Sequence, residues 1–130
     1  MEKSIKIPSK IENLRKVEKL VDEISAEFNL SSEIYGNVLI ATLEAANNAI
    51  LHGNKLDQNK SVNIFIKCEK DMLDITITDQ KKGFDFDNVP DPTAPENIEN
   101  VNGRGVFLMN RLSDEVEFQN NGSKVEMKFN

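Results

Sequence analysis

The chain runs to 130 residues, a length that suits one domain, residues 1–130, and leaves no room for a second independent core. Hydrophobic residues at 38% and charged residues at 29% support one buried core under a solvated surface and argue against both a disordered chain and a membrane protein. With 22 acidic against 16 basic side chains the net charge is −6, so neither nucleic acid nor a membrane surface is expected as a partner. A lone Cys68 cannot close an internal disulfide, and no apolar stretch reaches signal-peptide or transmembrane length, so the expected location is cytoplasmic. The single His52 and single Cys68 also exclude most metal sites built from those two residue types.

Ile5 and Ile7 alternate up to Pro8, which predicts a short strand at a sheet edge. Ser9 and Glu12 have the spacing of a capping box, and Ile11, Leu14, Val17, Leu20, Val21, Ile24 and Phe28 recur at helical spacing until Asn29 stops the run. Ser31 or Ser32 caps a second, alanine-rich helix that ends at Gly53. Its apolar residues surround much of the circumference, so it is expected to be buried on more than one side. Val62, Ile64, Ile66 and Cys68, then Leu73, Ile75 and Ile77, alternate around a turn at Glu69-Lys70-Asp71, which predicts a hairpin with Cys68 packed inside it. Residues 80–102 have no periodicity and hold Pro90, Pro92 and Pro95, the composition of a lid. A short helix from Arg104 to about Leu112 precedes a second hairpin, Val116-Phe118 with Val125-Met127-Phe129, around Asn121-Gly122. This order predicts an α+β two-layer sandwich, a mostly antiparallel mixed sheet with helices on one face.

Three places hold residues suited to chemistry. On the second helix, Glu44, Asn48 and His52 are spaced by four; a carboxylate and a carboxamide one turn apart suit a general base and an oxygen ligand for Mg²⁺, or simply a hydrogen-bonded surface pair. Asp79, at the end of a strand and followed by Gly83, suits recognition of an exocyclic amine such as that of adenine, or an ordinary turn. Gly103-Arg104-Gly105 before a helix suits phosphate binding at free backbone N–H groups, or a hinge without ligand.

In this order and combination, EAANNAILHGN at 44–54, DQKKGFD at 79–85 and GRGVFLMNRLSDEVEF at 103–118 resemble the N box and the two glycine boxes of the GHKL ATPase superfamily. The resemblance covers nearly the whole chain and is strongest to the bacterial anti-sigma-factor serine/threonine kinases, which are single small domains. It implies a Bergerat-type ATP-binding fold with ATP and Mg²⁺ as cofactors. Glu44 would be the catalytic base that activates a substrate hydroxyl or water, and Asn48 the Mg²⁺ ligand. Asp79 would bind the adenine amino group with Gly83 beside the base. Gly103, Arg104 and Gly105, with the backbone of Val106 and Phe107, would hold the phosphates. His52 matches the end of the first box without an assignable role, and Ser123 matches a small hydroxyl residue near the adenine. One departure is Lys81, which stands where relatives usually carry glycine and restricts the backbone there.

The only His lies inside the implied ATP site, which argues against a self-contained histidine kinase, and a gyrase-type machine, which needs further domains, is not expected either. For the anti-sigma kinases the resemblance implies two partners, a sigma factor and a STAS-domain anti-anti-sigma protein phosphorylated on serine or threonine. It also implies a homodimer through the first strand and helix, against the alternative that the stripe from Ile11 to Phe28 is core. The reaction would be transfer of the γ-phosphoryl group. The acidic segment from Asp85 to Asn102 is expected to face water, with Mg²⁺, Arg104, Lys81 or Lys82 offsetting the charge at the phosphates. The alternative function is a catalytically weak, nucleotide-dependent binding module that sequesters a regulatory partner, and a third is an interaction domain without nucleotide.

Overall fold

Among the described residues, period-two alternation builds five strands: β1 (Glu2–Pro8), β2 (Ser61–Glu69), β3 (Met72–Thr78), β4 (Glu115–Gln119) and β5 (Lys124–Phe129). Among the same residues three α-helices accompany them: α1 (Leu14–Phe28), α2 (Ser32–Asn48) and α3 (Val101–Leu112). The structure is a computed structural model that describes residues 1–70, 72–80, 101–120 and 123–130, with backbone alone at 101–104. Asp71, the lid residues up to 100 and the Asn121-Gly122 turn therefore lie outside the described residues.

The strands form one sheet in the order β1-β2-β3-β5-β4. Every pairing is antiparallel, so among the described residues the sheet is uniform rather than mixed. Register places Ile7 opposite Val62, Ile64 opposite Ile77, and Ile77 opposite Val125, which stacks the apolar set of each strand on one face. All of these are buried, and Cys68 is too, where burial pushes its thiol pKa up. The helices cover that face. Val17, Leu20, Val21 and Ile24 of α1 are buried, so the stripe on this helix is chiefly core, while Ile11 at its foot is 43% exposed. Each such side chain contributes about 1.5–3 kcal/mol when fully buried. α2 packs against both α1 and α3, and its buried Ala41, Ala45 and Ala46 let the neighbouring backbones come close.

The capping box expected at Ser9 and Glu12 does not form. A 3-10 turn, Ile11–Asn13, precedes α1, and the Asn13 side chain makes no cap bond. Ser9 is fully buried instead, its hydroxyl donating to the Lys60 carbonyl at 2.8 Å. A buried hydroxyl without a partner costs more than an uncapped helix end that water can reach, so the deeper demand wins. Asn29 does end α1, in the left-handed conformation at φ 52°, and the Ser31 hydroxyl caps α2 by accepting from Ile34 N–H at 3.2 Å. α3 begins at Val101, ahead of the expected start at Arg104, so the Gly103-Arg104-Gly105 run lies within the helix. Glycine costs about 1 kcal/mol in a helix interior, and packing against α2 outweighs it here.

The residues on the other face of the sheet are exposed or half-buried. There Asp74 of β3 lies directly between Lys67 and Lys128 in register. Burial, then the neighbouring Glu126 carboxyl, nevertheless raise its pKa from 3.8 to about 6. The folded chain thus holds this proton more tightly than the unfolded chain does, and stability falls as pH rises from about 4 to about 6. Asp74→Asn is expected to raise stability at pH 7 by roughly 1 kcal/mol, a figure discounted for solvent screening on this face. Urea unfolding at pH 4 and pH 7 checks it; an equal difference between the two pH values in both proteins would clear Asp74 of the effect.

Candidate nucleotide site

α2 supplies Glu44 and Asn48 one turn apart, and the turn after Asn48 widens into a π-helical segment, Ala49–Gly53. Asn54 N–H reaches back five residues to the Ala49 carbonyl at 2.8 Å, and Lys55 and Leu56 follow with φ of 52° and 61°. Insertions of this kind re-aim a helix end and recur at functional sites. Here the widened turn carries His52 and brings Gly53 against the end of β3. A Cβ added at Gly53 would overlap Asp79 Oδ2 and sit 2.5 Å from its Cγ. Gly53 is therefore the space in which the Asp79 carboxylate rests.

Asp79 is 8% exposed, and its backbone N–H donates to the Ser123 carbonyl at 2.8 Å, which ties the end of β3 to the start of β5. Ser123 is itself buried, and its hydroxyl bonds to the Asn120 carbonyl. On the other side of α2, the Asn48 side chain lies against Gly105 of α3. A Cβ at Gly105 would stand 2.8 Å from Asn48 Nδ2. The C-terminal end of α2 thus touches α3 through Asn48 and Gly105, and β3 through Gly53 and Asp79. The three stretches singled out in the sequence share one neighbourhood.

Asn48 Oδ1 is buried and has no hydrogen-bond partner among the described residues. A buried acceptor left unpaired is costly and calls for a ligand. A neutral hard oxygen suits Mg²⁺, which typically takes one or two protein oxygens and completes its shell with phosphates and water. Among the described residues no cluster of three His, Cys, Asp or Glu is placed to hold a metal alone. Glu44 is half-buried on the same helix and makes no ion pair among the described residues, which leaves its carboxylate available as an acceptor.

In a helix that starts at Val101, the N–H groups without helical partners end at residue 103, so Gly103 contributes the last of them. The side chain of Val106 is in the core, and that of Phe107 lies 5.8 Å under the Arg111 guanidinium. Gly83 and Lys81, the glycine of the first box and its unusual neighbour, lie outside the described residues, as does Lys82.

Sequence reasoning passed over Asn54. It is 1% exposed, and its Nδ2 donates to Ser9 Oγ at 2.8 Å and to the Ser61 carbonyl at 3.0 Å. Its Oδ1 accepts from Gln80 N–H at 2.8 Å. One amide thus fastens the π turn to the starts and ends of three strands. Its only sequence signal was its place just after a helix-ending glycine. Asn54→Ala is expected to cost about 2–4 kcal/mol, since three bonds go, one of them to the fully buried Ser9 hydroxyl. Thermal unfolding checks this, and a change within the ordinary surface range of about 0.5 kcal/mol either way would show that the hub is dispensable.

Residues 7–129 match the model of a family described as the histidine kinase-like ATPase domain, and the chain belongs to that family, within the GHKL superfamily. Among similar proteins is the serine-protein kinase RsbW of Bacillus subtilis, 27% identical over 122 residues that span 89% of this chain and 76% of that protein. Proteins of the same name from Oceanobacillus iheyensis and Bacillus licheniformis are 26% and 28% identical. They cover 89% and 88% of this chain, and 77% and 76% of their own length. Among the described residues no helix is long and apolar enough to cross a membrane.

Proposed function

We propose that the chain is an ATP-dependent serine/threonine protein kinase and anti-sigma factor, working in the cytoplasm. In this reading it phosphorylates a STAS-domain anti-anti-sigma protein and sequesters a sigma factor. The observation that carries the reading is the double contact of the end of α2, Asn48 with Gly105 and Gly53 with Asp79, which gathers a metal-type oxygen, an adenine-type carboxylate and a helix start. Serine-protein kinases as relatives over most of the chain support the reaction class. Among the described residues β1 forms one edge of the sheet, pairing only with β2, and this edge with α1 is where a homodimer would form.

In the mechanism, Asp79 accepts from the adenine amino group and orients the base. Asn48 offers Oδ1 to Mg²⁺, which when bound neutralises the phosphate charge. The free N–H groups at the start of α3 hold phosphate oxygens, with Arg104 nearby in sequence. Glu44 takes the proton of the acceptor hydroxyl as that oxygen bonds to the γ-phosphorus, while the bond from the γ-phosphorus to the β-phosphate oxygen breaks and ADP leaves. The protein acts by position and charge more than by covalent chemistry.

Incubation with γ-labelled ATP and purified STAS-domain proteins of the same organism tests the reading. Transfer of label to serine or threonine of one of them is expected. Lys81 favours a second reading, the binding module; Mg-ATP would then raise the melting temperature while no partner became labelled. No thermal shift with Mg-ATP would remove both readings.

A further inference from the structure

The row of α2 residues that leads to Glu44 carries an exposed apolar side chain that the proposed reaction does not use. Gly36, Ile40, Glu44 and Asn48 are spaced by four and form one inclined row on the helix. At its far end a Cβ on Gly36 would meet nothing within 4 Å. Ile40 is 46% exposed, Glu44 is half-buried, and Asn48 ends against Gly105 with its Oδ1 buried. The same helix buries Val38, Ala41 and Thr42 almost completely, so Ile40 is its one large apolar side chain left in solvent among the described residues.

We propose that Ile40, with the open space at Gly36, forms the docking row for the protein acceptor and selects a segment that carries an apolar side chain next to its phosphorylated serine or threonine. The proposal rests on the assignment of Glu44 as base. Phosphoryl transfer needs attacking and leaving oxygens roughly in line. Asn48, Asp79 and Gly105 place the nucleotide at the C-terminal end of the row, so the acceptor hydroxyl enters from the other end, over Ile40. Distances agree. The hydroxyl must come within about 3 Å of the Glu44 carboxylate. Ile40 lies about 6 Å along the row, and one residue step of the acceptor chain is about 3.8 Å. A neighbour of the acceptor residue therefore covers Ile40, and an apolar neighbour removes both side chains from water. Gly36 leaves room for the chain beyond it.

The test compares wild type, Ile40→Lys and Ile40→Leu in transfer from γ-labelled ATP to the STAS-domain protein that the wild type labels. Ile40→Lys is expected to raise the KM for the acceptor protein at least about tenfold while moving the KM for ATP less than about twofold. Ile40→Leu should restore the acceptor KM to within about threefold of wild type. An unchanged acceptor KM in Ile40→Lys would overturn the proposal, and so would an equal rise in the KM for ATP, which would put Ile40 in the nucleotide site or the fold. An unchanged acceptor KM combined with loss of transfer in Glu44→Gln would leave the kinase reading standing without this docking row. Failure of the wild type to label any acceptor would remove the kinase reading and the docking row together.

Discussion

Glu44→Gln is expected to bind Mg-ATP with an affinity within about twofold of wild type and to transfer its phosphoryl group about 10²–10⁴-fold more slowly, the usual contribution of a positioned base. Gln keeps the length and the hydrogen-bonding oxygen of Glu but cannot take a proton, so the substitution separates position from proton transfer. Glu44 sits half-buried at mid-row on α2, one turn from the Asn48 contact with Gly105, and forms no ion pair among the described residues that its loss would disturb. The fold should therefore be intact, and near-wild-type unfolding by urea would confirm that. Single-turnover transfer to the acceptor protein, with calorimetry of nucleotide binding alongside, makes the measurement. Transfer at the wild-type rate would take the base assignment away from Glu44.

Gly53→Ala is expected to cost about 1–3 kcal/mol of stability by overpacking and, in addition, to weaken adenine nucleotide binding at least about tenfold. The added methyl group would overlap Asp79 Oδ2 and stand 2.5 Å from Cγ and 3.0 Å from Cβ. Asp79 has little freedom to yield, because its backbone N–H is tied to Ser123 and the next residue, Gln80, is tied to Asn54. Asp79→Asn makes the contrast. It keeps the volume and replaces one accepting oxygen by a donor, so it should lose a similar share of affinity without the overpacking cost. Calorimetry with ATP and urea unfolding on both variants give the four numbers. Wild-type affinity in Gly53→Ala would show that Asp79 does not face the nucleotide.

Much of this architecture was legible in the residues. The period-two runs in β2, β3 and β5, the apolar stripe of α1 and the Ser31 cap all rest on local rules that the packing then obeys. The failures have a common cause. Ser9 looked like a cap because Glu12 follows it, yet its partners are Lys60 and Asn54, about fifty residues away in sequence. The π turn at Ala49–Gly53 left no mark in the periodicity, because a single widened turn at a helix end is set by what the following loop must reach. Gly53 read as a helix stop, and its second use, as room for Asp79, needed the sheet and the helix side by side. The glycines at 103 and 105 read as a boundary because glycine weakens helices, whereas α3 runs through them and uses Gly105 for its close approach to Asn48. The three stretches were singled out by the order of residue types along the chain; the contacts of Gly53 with Asp79 and of Gly105 with Asn48 became visible only in the packing.

That convergence around a magnesium nucleotide is the central claim, and a crystal structure of the chain with Mg²⁺ and a non-hydrolysable ATP analogue tests it most directly. The expected result places the adenine amino group on the Asp79 carboxylate, the metal on Asn48 Oδ1 and phosphate oxygens at the start of α3. A nucleotide bound away from Asn48, Gly53 and Asp79, or a saturated crystal with nothing between them, would contradict the account.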